Sequence, residues 1–368
     1  KTLVDAHQMN YITVLYHNGF LVLQDVCQIV ILLLTGNFIL FLVIGVVCTI
    51  AGNICMSGTA DRLFPYLKEE CREKLPEAER KDILKNVKAM FMHKLGNVVV
   101  NNTDNLLISS FVGVVSAGIY SNYYLLIGSV RQVLDQALQG VAASVGNLGV
   151  TEDKEKISDV FEQLFFVGYW MYGFAGICLF EILNPFVELA FGEQYLFQRN
   201  IVLILCINFF INGMRKAVLI FKESMGLFWY DRYKALSEAV LNLSISILLV
   251  KNFGVWGVFA GTFCSTVLTS VWVEPCILYK YRFHRPVKEY FKTYVAYILM
   301  MAAAWSLTEG ICHLIRGGIF TQLFLRGLVC VTVPNLLLWL IFHQTEKWKR
   351  LAELLKKIVK KVRKSFRR

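Results

Sequence analysis

The chain has 368 residues, of which 56% are hydrophobic and only 18% charged, and its mean hydropathy is +0.52. Soluble domains are about 45–50% apolar, so this composition argues against an ordinary soluble domain and favours a protein whose solvent is lipid. The net charge of +11 is unevenly distributed along the chain, and its placement bears on topology. The cysteines lie mostly in apolar runs without a C-x-x-C pair, so they are interpreted as small buried hydrophobic residues.

Apolar runs long enough to cross a bilayer recur along the whole chain. A transmembrane helix needs about 20 mainly apolar residues, because each residue rises about 1.5 Å across a hydrocarbon core about 30 Å thick. The sequence therefore predicts about ten transmembrane helices, which leave no room for a large soluble domain. In chain order, the predicted spans are 12–34, 37–57, 88–112, 117–146, 159–183, 199–222, 234–251, 255–279, 293–315 and 321–343.

Basic residues concentrate in alternate predicted loops. The loops 58–88, 222–234 and 279–292 each hold several Lys or Arg, whereas the turns 34–37 and 113–118 hold none. Because Lys and Arg favour the cytoplasmic side of short loops, this alternation supports the span count. It predicts a multi-pass protein of the cytoplasmic membrane with both ends on the cytoplasmic side.

The C-terminal segment 346–368 has the pattern of a basic amphipathic helix. Its apolar residues recur at spacings of three and four, which places them on one stripe, and its other faces carry eleven Lys and Arg. Such a helix is attracted to anionic lipid by about 1 kcal/mol per basic residue near the surface. The segment is therefore predicted to anchor to the membrane surface, with a solvated tail or a short coiled coil as the alternatives.

Several predicted spans carry polar side chains near mid-membrane, where a charge costs at least about 2.5–3.5 kcal/mol. The span 88–112 is the most polar, and Arg131 and Asp135 lie one turn apart in the next span, close enough to pair. These faces indicate either a hydrated cavity for an anionic headgroup or polar contacts between helices. In a cavity, Arg131, Arg215 and Lys216 would supply positive charge, and guanidinium forks suit phosphate. The candidate cavity residues are Asp25, Asn101, Asp104, Asn105, Arg131, Asp135, Asn208, Asn212, Arg215 and Lys216.

Motifs of common enzyme classes are absent from the sequence. There is no G-x-x-x-x-G-K-[ST] loop for a nucleotide and no G-x-S-x-G nucleophile turn. The six histidines lack ligand spacing, so no metal site, cofactor or catalytic residue is predicted. Glu274, near the end of its span, is interpreted as a structural residue and not as a proton carrier. A transporter driven by a gradient or potential is favoured over an enzyme.

Short motifs follow one another in a characteristic order. They are A-D-R-L-F-P-Y-L at 60–67, H-K-L-G at 93–96, T-D-N at 103–105, N-P-F at 184–186, a glycine-rich stretch at 254–265 and W-V-E-P at 272–275. In this order they resemble the oligosaccharide repeat-unit flippases of bacterial capsule and O-antigen synthesis. Those flippases are Wzx-like members of the exporter superfamily that includes multidrug antiporters, and the resemblance covers nearly the whole chain.

The resemblance implies an all-α polytopic membrane protein with a MATE-like two-lobe bundle. The first span of this chain would correspond to the family's fifth, so about four N-terminal helices are expected to be missing. The implied domains are a remnant of the first lobe at 1–57, a cytoplasmic inter-lobe loop at 58–87, a six-helix second lobe at 88–279, two additional helices at 293–343 and the basic tail at 346–368.

The resemblance also implies an activity: alternating access that moves undecaprenyl-diphosphate-linked oligosaccharide across the bacterial cytoplasmic membrane, with no bond made or broken. A multidrug or cation antiporter of the same superfamily and a membrane-embedded oligosaccharide polymerase are the alternatives. The implied partners are the lipid-linked oligosaccharide, anionic lipid at 346–368, a polysaccharide polymerase and a chain-length regulator, with no nucleic acid.

Overall fold

The computed structural model describes residues 3–4, 7, 9–68, 76–139, 142, 145–146 and 154–352, and these residues are almost entirely helical, with no β-strand among them. The predicted all-α class is confirmed. The chain divides into two compact units, Lys1–Glu79 and Arg80–Arg368. This division falls inside the segment predicted as the inter-lobe loop, whereas the other predicted domain limits stay predictions.

The first unit is a helical hairpin. Its elements are α1 (Asn10–Thr35), α2 (Phe38–Leu63) and a 3-10 turn at Pro65–Lys68. Gly36 ends α1 with a φ of +61°, which a residue without a Cβ adopts at little cost. Asn37 then caps α2, because its Oδ1 accepts the backbone N–H of Ile39 at 2.9 Å. Near the other end of the hairpin, Thr59 Oγ1 donates to the hydroxyl of Tyr16 at 2.8 Å.

Helices α3 to α11 build the second unit. They are α3 (Glu77–Leu107), α4 (Val114–Gln139), α5 (Lys154–Phe191), α6 (Arg199–Met214), α7 (Lys216–Ser224), α8 (Lys234–Leu268), α9 (Ser270–Leu278), α10 (Lys288–His313) and α11 (Ile319–Phe342). Short turns join them: π-helical turns at Ile108–Val112 and Tyr279–Phe283, and 3-10 turns at Glu193–Tyr195 and Leu227–Trp229. Only Arg215 separates α6 from α7, so the two form one bent span.

Helix α8 folds back on itself at Gly254, whose φ of 57° and ψ of −137° favour glycine. The arms on either side run antiparallel. Gly261 allows their close approach, since a Cβ at this position would lie 2.1 Å from Ser246 Oγ. The arms are also joined by a hydrogen bond in which Asn242 Nδ2 donates to Thr262 Oγ1 at 2.9 Å. The bend therefore separates the two spans predicted on either side of it.

Aromatic side chains of α5 lie at the centre of the core. Phe161 and Tyr169 are each 1% exposed, and the ring of Tyr169 stacks 4.2 Å from that of Tyr297 on α10. Helix α11 packs on the same helix, and Trp170 Nε1 donates to Asn335 Oδ1 at 2.8 Å. The two helices predicted as additions, α10 and α11, therefore belong to the core of the second unit.

Seven helical stretches in the described part of the chain are long and apolar enough to cross a membrane, which makes this a multi-pass membrane protein. They are Tyr11–Thr35, Phe38–Leu63, Glu155–Phe191, Arg199–Ser224, Lys234–Phe283, Lys288–His313 and Ile319–Phe342. The 50-residue stretch Lys234–Phe283 is bent at Gly254, so it holds two of the predicted spans. Helix α3 with the π-helical turn after it covers the predicted span 88–112, and α4 covers most of 117–146. Both helices are too polar to meet the same measure.

Helices α2 and α3 extend beyond their predicted spans into the predicted inter-lobe loop. Helix α2 continues to Leu63, and α3 begins at Glu77, so much of the predicted loop 58–87 is helical. The added residues 77–87 at the start of α3 are mostly polar, and they are exposed where described. Hydropathy detects only the part of a helix that lipid covers, whereas backbone hydrogen bonding continues into water.

The predicted amphipathic tail is described only over 346–352, which are helical. Within this stretch, Lys347 Nζ lies 3.0 Å from Glu162 Oε2, Arg350 Nη1 lies 3.5 Å from Asp159 Oδ2 and Leu351 is buried. The start of the tail therefore packs on α5. Residues 353–368, which carry most of the anchoring prediction, lie outside the described residues.

Candidate functional site

A polar cavity of about 360 Å³ lies among α3, α4, α6, α7 and α8. We call it the central cavity. It brings together seven of the predicted candidates: Asp104, Arg131, Asp135, Asn208, Asn212, Arg215 and Lys216. Its other lining residues are Val100, Tyr120, Tyr124, Ile127, Leu205, Leu219, Glu238, Phe259, Thr262 and Thr266.

One stripe of α4 forms a wall of this cavity. Tyr120, Tyr124, Ile127, Arg131 and Asp135 all line it, and their spacing of three and four residues places them on one face of the helix. A second cavity of about 400 Å³ shares four residues of this stripe and extends along Gln132 and Gln136. Toward the end of α4, the residues of this stripe change from the two tyrosines to the charged residues Arg131 and Asp135.

Arg131 has no hydrogen bond or ion pair with any residue that the structure describes, and its Nε is buried without a partner. Asp135, one turn away, pairs instead with Lys216, whose Nζ donates to Asp135 Oδ2 at 2.7 Å. The hydroxyl of Tyr172 donates to the other oxygen of the same carboxylate. The alternative in which Arg131 merely neutralises Asp135 is therefore not the arrangement in this structure.

Arg215 lies at the break between α6 and α7, where it enters a buried network of four charges. Its guanidinium binds Glu274 through two hydrogen bonds, from Nε at 3.0 Å and from Nη2 at 2.8 Å. Lys234 Nζ donates to Glu274 Oε1 at 2.5 Å. Glu238 completes the network at 3.8 Å from Arg215 and 3.7 Å from Lys234. Two cations thus face two carboxylates, so Arg215 is already neutralised.

The same network gives Glu274 a clear role. Its side chain is fully buried and joins α9 to α6 and α8, which agrees with the structural interpretation made from the sequence. Glu238 is held by hydroxyls as well, since Thr266 Oγ1 and Ser270 Oγ donate to it at 3.0 and 2.6 Å. The network ties α8 and α9 to the break between α6 and α7 beside the cavity.

Asp104 is buried on α3, where it lines the central cavity. Its Oδ1 accepts a hydrogen bond from Thr262 Oγ1 at 2.9 Å, and Thr262 in turn accepts from Asn242. No cation pairs with Asp104 among the residues that the structure describes. Among the described residues, the cavity therefore contains a carboxylate and a guanidinium, those of Asp104 and Arg131, that form no ion pair.

The two predicted asparagines of α6 are engaged with their neighbours. Asn208 Nδ2 donates to the carbonyl of Phe259 at 3.0 Å, and Asn212 Nδ2 donates to the carbonyl of Asn208 at 2.9 Å. Asn212 Oδ1 also accepts from Arg215 Nη1 at 2.9 Å. The Asn208 contact is a hydrogen bond between two helices, whereas the Asn212 contacts are local to α6 and its end, and both residues also line the cavity.

Two of the remaining three candidates, Asn105 and Asp25, are not among the residues that line the central cavity. Asn105 is exposed on α3, and Asp25 is exposed on α1 in the first unit. Asn101 lies on α3, but its side chain lies outside what the structure describes.

Sequence reasoning missed several lining residues, chiefly Tyr120, Tyr124, Glu238 and Thr262. The tyrosines have the helical spacing of Arg131 and Asp135, so extending that stripe toward the start of α4 would have found them. Glu238 and Thr262 are single polar residues in different spans, and only the bend at Gly254 brings their arms together. Nothing in the linear sequence shows that the two arms of α8 lie side by side.

Residues 21–197 match the model of a family described as "Polysaccharide biosynthesis protein". This segment runs from α1 to the residues just before α6. The family resemblance found in the sequence motifs is thereby confirmed. Neither the curated proteins nor the solved structures contain a match to the chain.

Proposed function

We propose that this chain, whose residues 21–197 match the polysaccharide biosynthesis protein family model, is a flippase for lipid-linked oligosaccharide repeat units. In this proposal, the central cavity receives the diphosphate and the adjoining sugar of an undecaprenyl-linked oligosaccharide. The protein then carries the headgroup across the bacterial cytoplasmic membrane by alternating access. The observation that carries the proposal is the unpaired Arg131 in a polar cavity of the second unit.

The distribution of charge favours an anionic ligand at Arg131. Lys216 is paired with Asp135, and Arg215 and Lys234 share Glu238 and Glu274. Among the basic residues that line the cavity, Arg131 is therefore the one without a carboxylate in the described part of the chain. An unpaired charge at membrane depth costs at least about 2.5–3.5 kcal/mol, so a phosphate that binds it recovers free energy. The planar guanidinium can donate two parallel hydrogen bonds to a phosphate.

The rest of the cavity wall suits a sugar next to the diphosphate. Tyr124 is 53% exposed, so its ring and hydroxyl are open to a ligand. Tyrosine combines an apolar ring face with a polar tip, and a sugar likewise has an apolar ring face and hydroxyls. The cavity volume of about 360 Å³ lies within the usual range for small-molecule sites, about 300–1,000 Å³. A site of this size accommodates the headgroup next to the lipid and not a long glycan.

A cation or multidrug antiporter is the second candidate, and Asp104 is the observation that favours it. A buried carboxylate without a cationic partner in the described residues could attract a cationic substrate. Against it stands the guanidinium of Arg131 in the same cavity. The two candidates predict opposite dependence on these residues, which makes them separable by experiment.

Complementation of a bacterial strain that lacks its own repeat-unit flippase tests the proposal. The complete reading frame that contains this chain should restore surface polysaccharide, and Arg131→Ala should reduce it about tenfold or more. A hydrogen bond to a charged group is worth about 1.5–3 kcal/mol, and about 1.4 kcal/mol is a factor of ten. Arg131→Lys should give partial rescue, because the charge remains while the fork is lost.

The matched control is Arg316→Ala, which removes an exposed arginine in the turn between α10 and α11. It should leave surface polysaccharide unchanged at equal expression. Normal polysaccharide from Arg131→Ala, at equal expression, would refute the role of Arg131. Drug resistance that depends on Asp104 and not on Arg131 would favour the antiporter. Repeat units that accumulate unpolymerised on the outer leaflet of the null strain would favour a polymerase.

A further inference from the structure

A cluster of aromatic and basic side chains lies outside the central cavity, at the end of the second unit that carries the basic loops. We call it the Trp229 patch: Lys85, Trp229, Tyr230, Arg232, Lys280 and Tyr281. We infer that the Trp229 patch binds the headgroup of an anionic phospholipid of the surrounding leaflet. This inference does not depend on the substrate that the protein transports.

Trp229 forms the centre of the patch and holds two cations. The guanidinium of Arg232 lies 4.0 Å from the centroid of the Trp229 ring, and Lys85 Nζ lies 4.6 Å from it. Arg232 is also fixed by a hydrogen bond from Nη1 to the carbonyl of Trp229 at 2.9 Å. Cation–π contacts hold these charges in place without neutralising them.

A second pair of rings, one from the turn before α8 and one from the π-helical turn after α9, joins the patch. Tyr230 stacks on Tyr281 at 3.8 Å between ring centroids, and Lys280 Nζ lies 5.2 Å from the centroid of the Tyr281 ring. Tyr230 is 49% exposed and Tyr281 is 37% exposed. The patch therefore presents tyrosine hydroxyls and ammonium groups together at the surface.

Close packing of α3 on α8 brings the parts of the patch together. A Cβ at Gly96 would lie 2.6 Å from the backbone of Ala235, so only glycine allows this approach without a shift. The contact places the start of α3, and with it Lys85, beside the turn 227–233. Lys280 comes from the turn after α9, which packs against α8 through Glu274 and Lys234.

The positive charge of the patch has no carboxylate counter-ion among the residues that the structure describes. None of its three cations, Lys85, Arg232 and Lys280, forms an ion pair with a carboxylate in the part of the chain that the structure describes. All three come from the basic loops that the sequence assigns to one side of the membrane. Tryptophan and tyrosine favour the headgroup region, because one end of each ring is apolar and the other polar.

An anionic phospholipid meets these features better than a soluble anion does. Its phosphate can contact several cations at once, while its glycerol and upper acyl carbons lie against the exposed parts of the Tyr230 and Tyr281 rings. Each basic residue near an anionic surface contributes about a fivefold gain in affinity. Removal of one cation should therefore weaken phosphatidylglycerol binding about fivefold, and removal of two about 25-fold.

Native mass spectrometry of the purified full chain tests this inference, with phosphatidylglycerol and phosphatidylcholine titrated in parallel. The unmodified chain should retain phosphatidylglycerol preferentially. Arg232→Ala and Lys280→Ala should each lower that affinity about fivefold and together about 25-fold, with phosphatidylcholine retention unchanged. Lys251→Ala and Arg316→Ala, at exposed basic residues outside the patch, should leave affinity unchanged. All variants keep the basic tail, so its contribution cancels.

Several results would overturn the inference. Equal retention of the two phospholipids is one, and equal losses for patch and control variants is another. Binding of inorganic pyrophosphate as tight as that of phosphatidylglycerol would assign the patch to a soluble phosphate. If Arg232→Ala unfolds the protein, Lys280→Glu serves instead, because Lys280 is exposed, and unchanged affinity in this folded variant would refute the inference. Success or failure here leaves the Arg131 complementation result unaffected.

Discussion

Replacement of Glu274 by glutamine would leave two buried cations to share one carboxylate. In the structure, Glu274 is fully buried and accepts from Arg215 at 2.8 and 3.0 Å and from Lys234 at 2.5 Å. After the substitution, Glu238 would be the nearest carboxylate, at 3.8 Å from Arg215 and 3.7 Å from Lys234. Loss of one partner of a buried ion pair typically costs about 3–5 kcal/mol. We expect Glu274→Gln to lower the free energy of unfolding by about that amount.

Reversible unfolding in detergent micelles measures this change, and a second substitution identifies its cause. Lys234→Met in the Glu274→Gln background removes the surplus cation, so the double variant should recover part of the lost stability, a coupling that a double-mutant cycle reports. Glu309→Gln is the matched control, because Glu309 is 42% exposed in its ion pair with Arg199 and such pairs contribute about 0–1 kcal/mol. A loss below about 1 kcal/mol for Glu274→Gln, or no recovery in the double variant, would refute the charge argument.

Three smaller predictions concern the packing of the helices, each read out by thermal or chemical unfolding in micelles. Gly96→Ala should destabilise the protein by about 1–3 kcal/mol, because the added methyl group overpacks against Ala235. Gly118→Ala is the control: a Cβ there meets nothing within 4 Å, so this variant should be as stable as the unmodified protein or more so. Equal losses of stability in the two variants would contradict the packing argument. Trp170→Phe should lower the stability by about 0.5–1.5 kcal/mol, because Asn335 loses its donor at 2.8 Å. If Trp170→Phe has no effect in a protein that already carries Asn335→Ala, the hydrogen bond is the source of the loss. Asn37→Ala should cost about 0.5–2 kcal/mol, because α2 loses its cap, whereas Asn37→Ser should retain most of the stability.

The sequence predicted the helices well because each predicted span depends on a local property. Runs of about 20 apolar residues specify spans such as 37–57 and 321–343, and the structure has helices over both. Gly254 is more informative, since the sequence shows a glycine between two apolar runs but not that α8 folds back there. That geometry depends on the close approach of Gly261 to Ser246, and helical periodicity does not show that residues on either side of a glycine meet.

The partners of charged residues were much harder to predict. Arg131 and Asp135 are one turn apart and were expected to be able to pair, yet Asp135 pairs with Lys216, 81 positions further along the chain. Arg215 was expected to face a ligand, and its carboxylate partner lies 59 positions away on another helix. Helical spacing shows which residues share a face of one helix, whereas charge neutralisation depends on which faces meet.

The polarity of α3 and α4 connects the fold to the cavity. A helix that turns one face to a polar cavity replaces apolar residues on that face, so its mean hydropathy falls below that of a helix surrounded by lipid and protein. Among the predicted spans, α3 and α4 are the ones that are helical but not apolar enough to be recognised as spans. They also supply Asp104 and Arg131, the unpaired charges of the cavity in the described residues. Low hydropathy in a predicted span is therefore evidence for a cavity-lining helix, and it identifies where substitutions should affect transport more than stability.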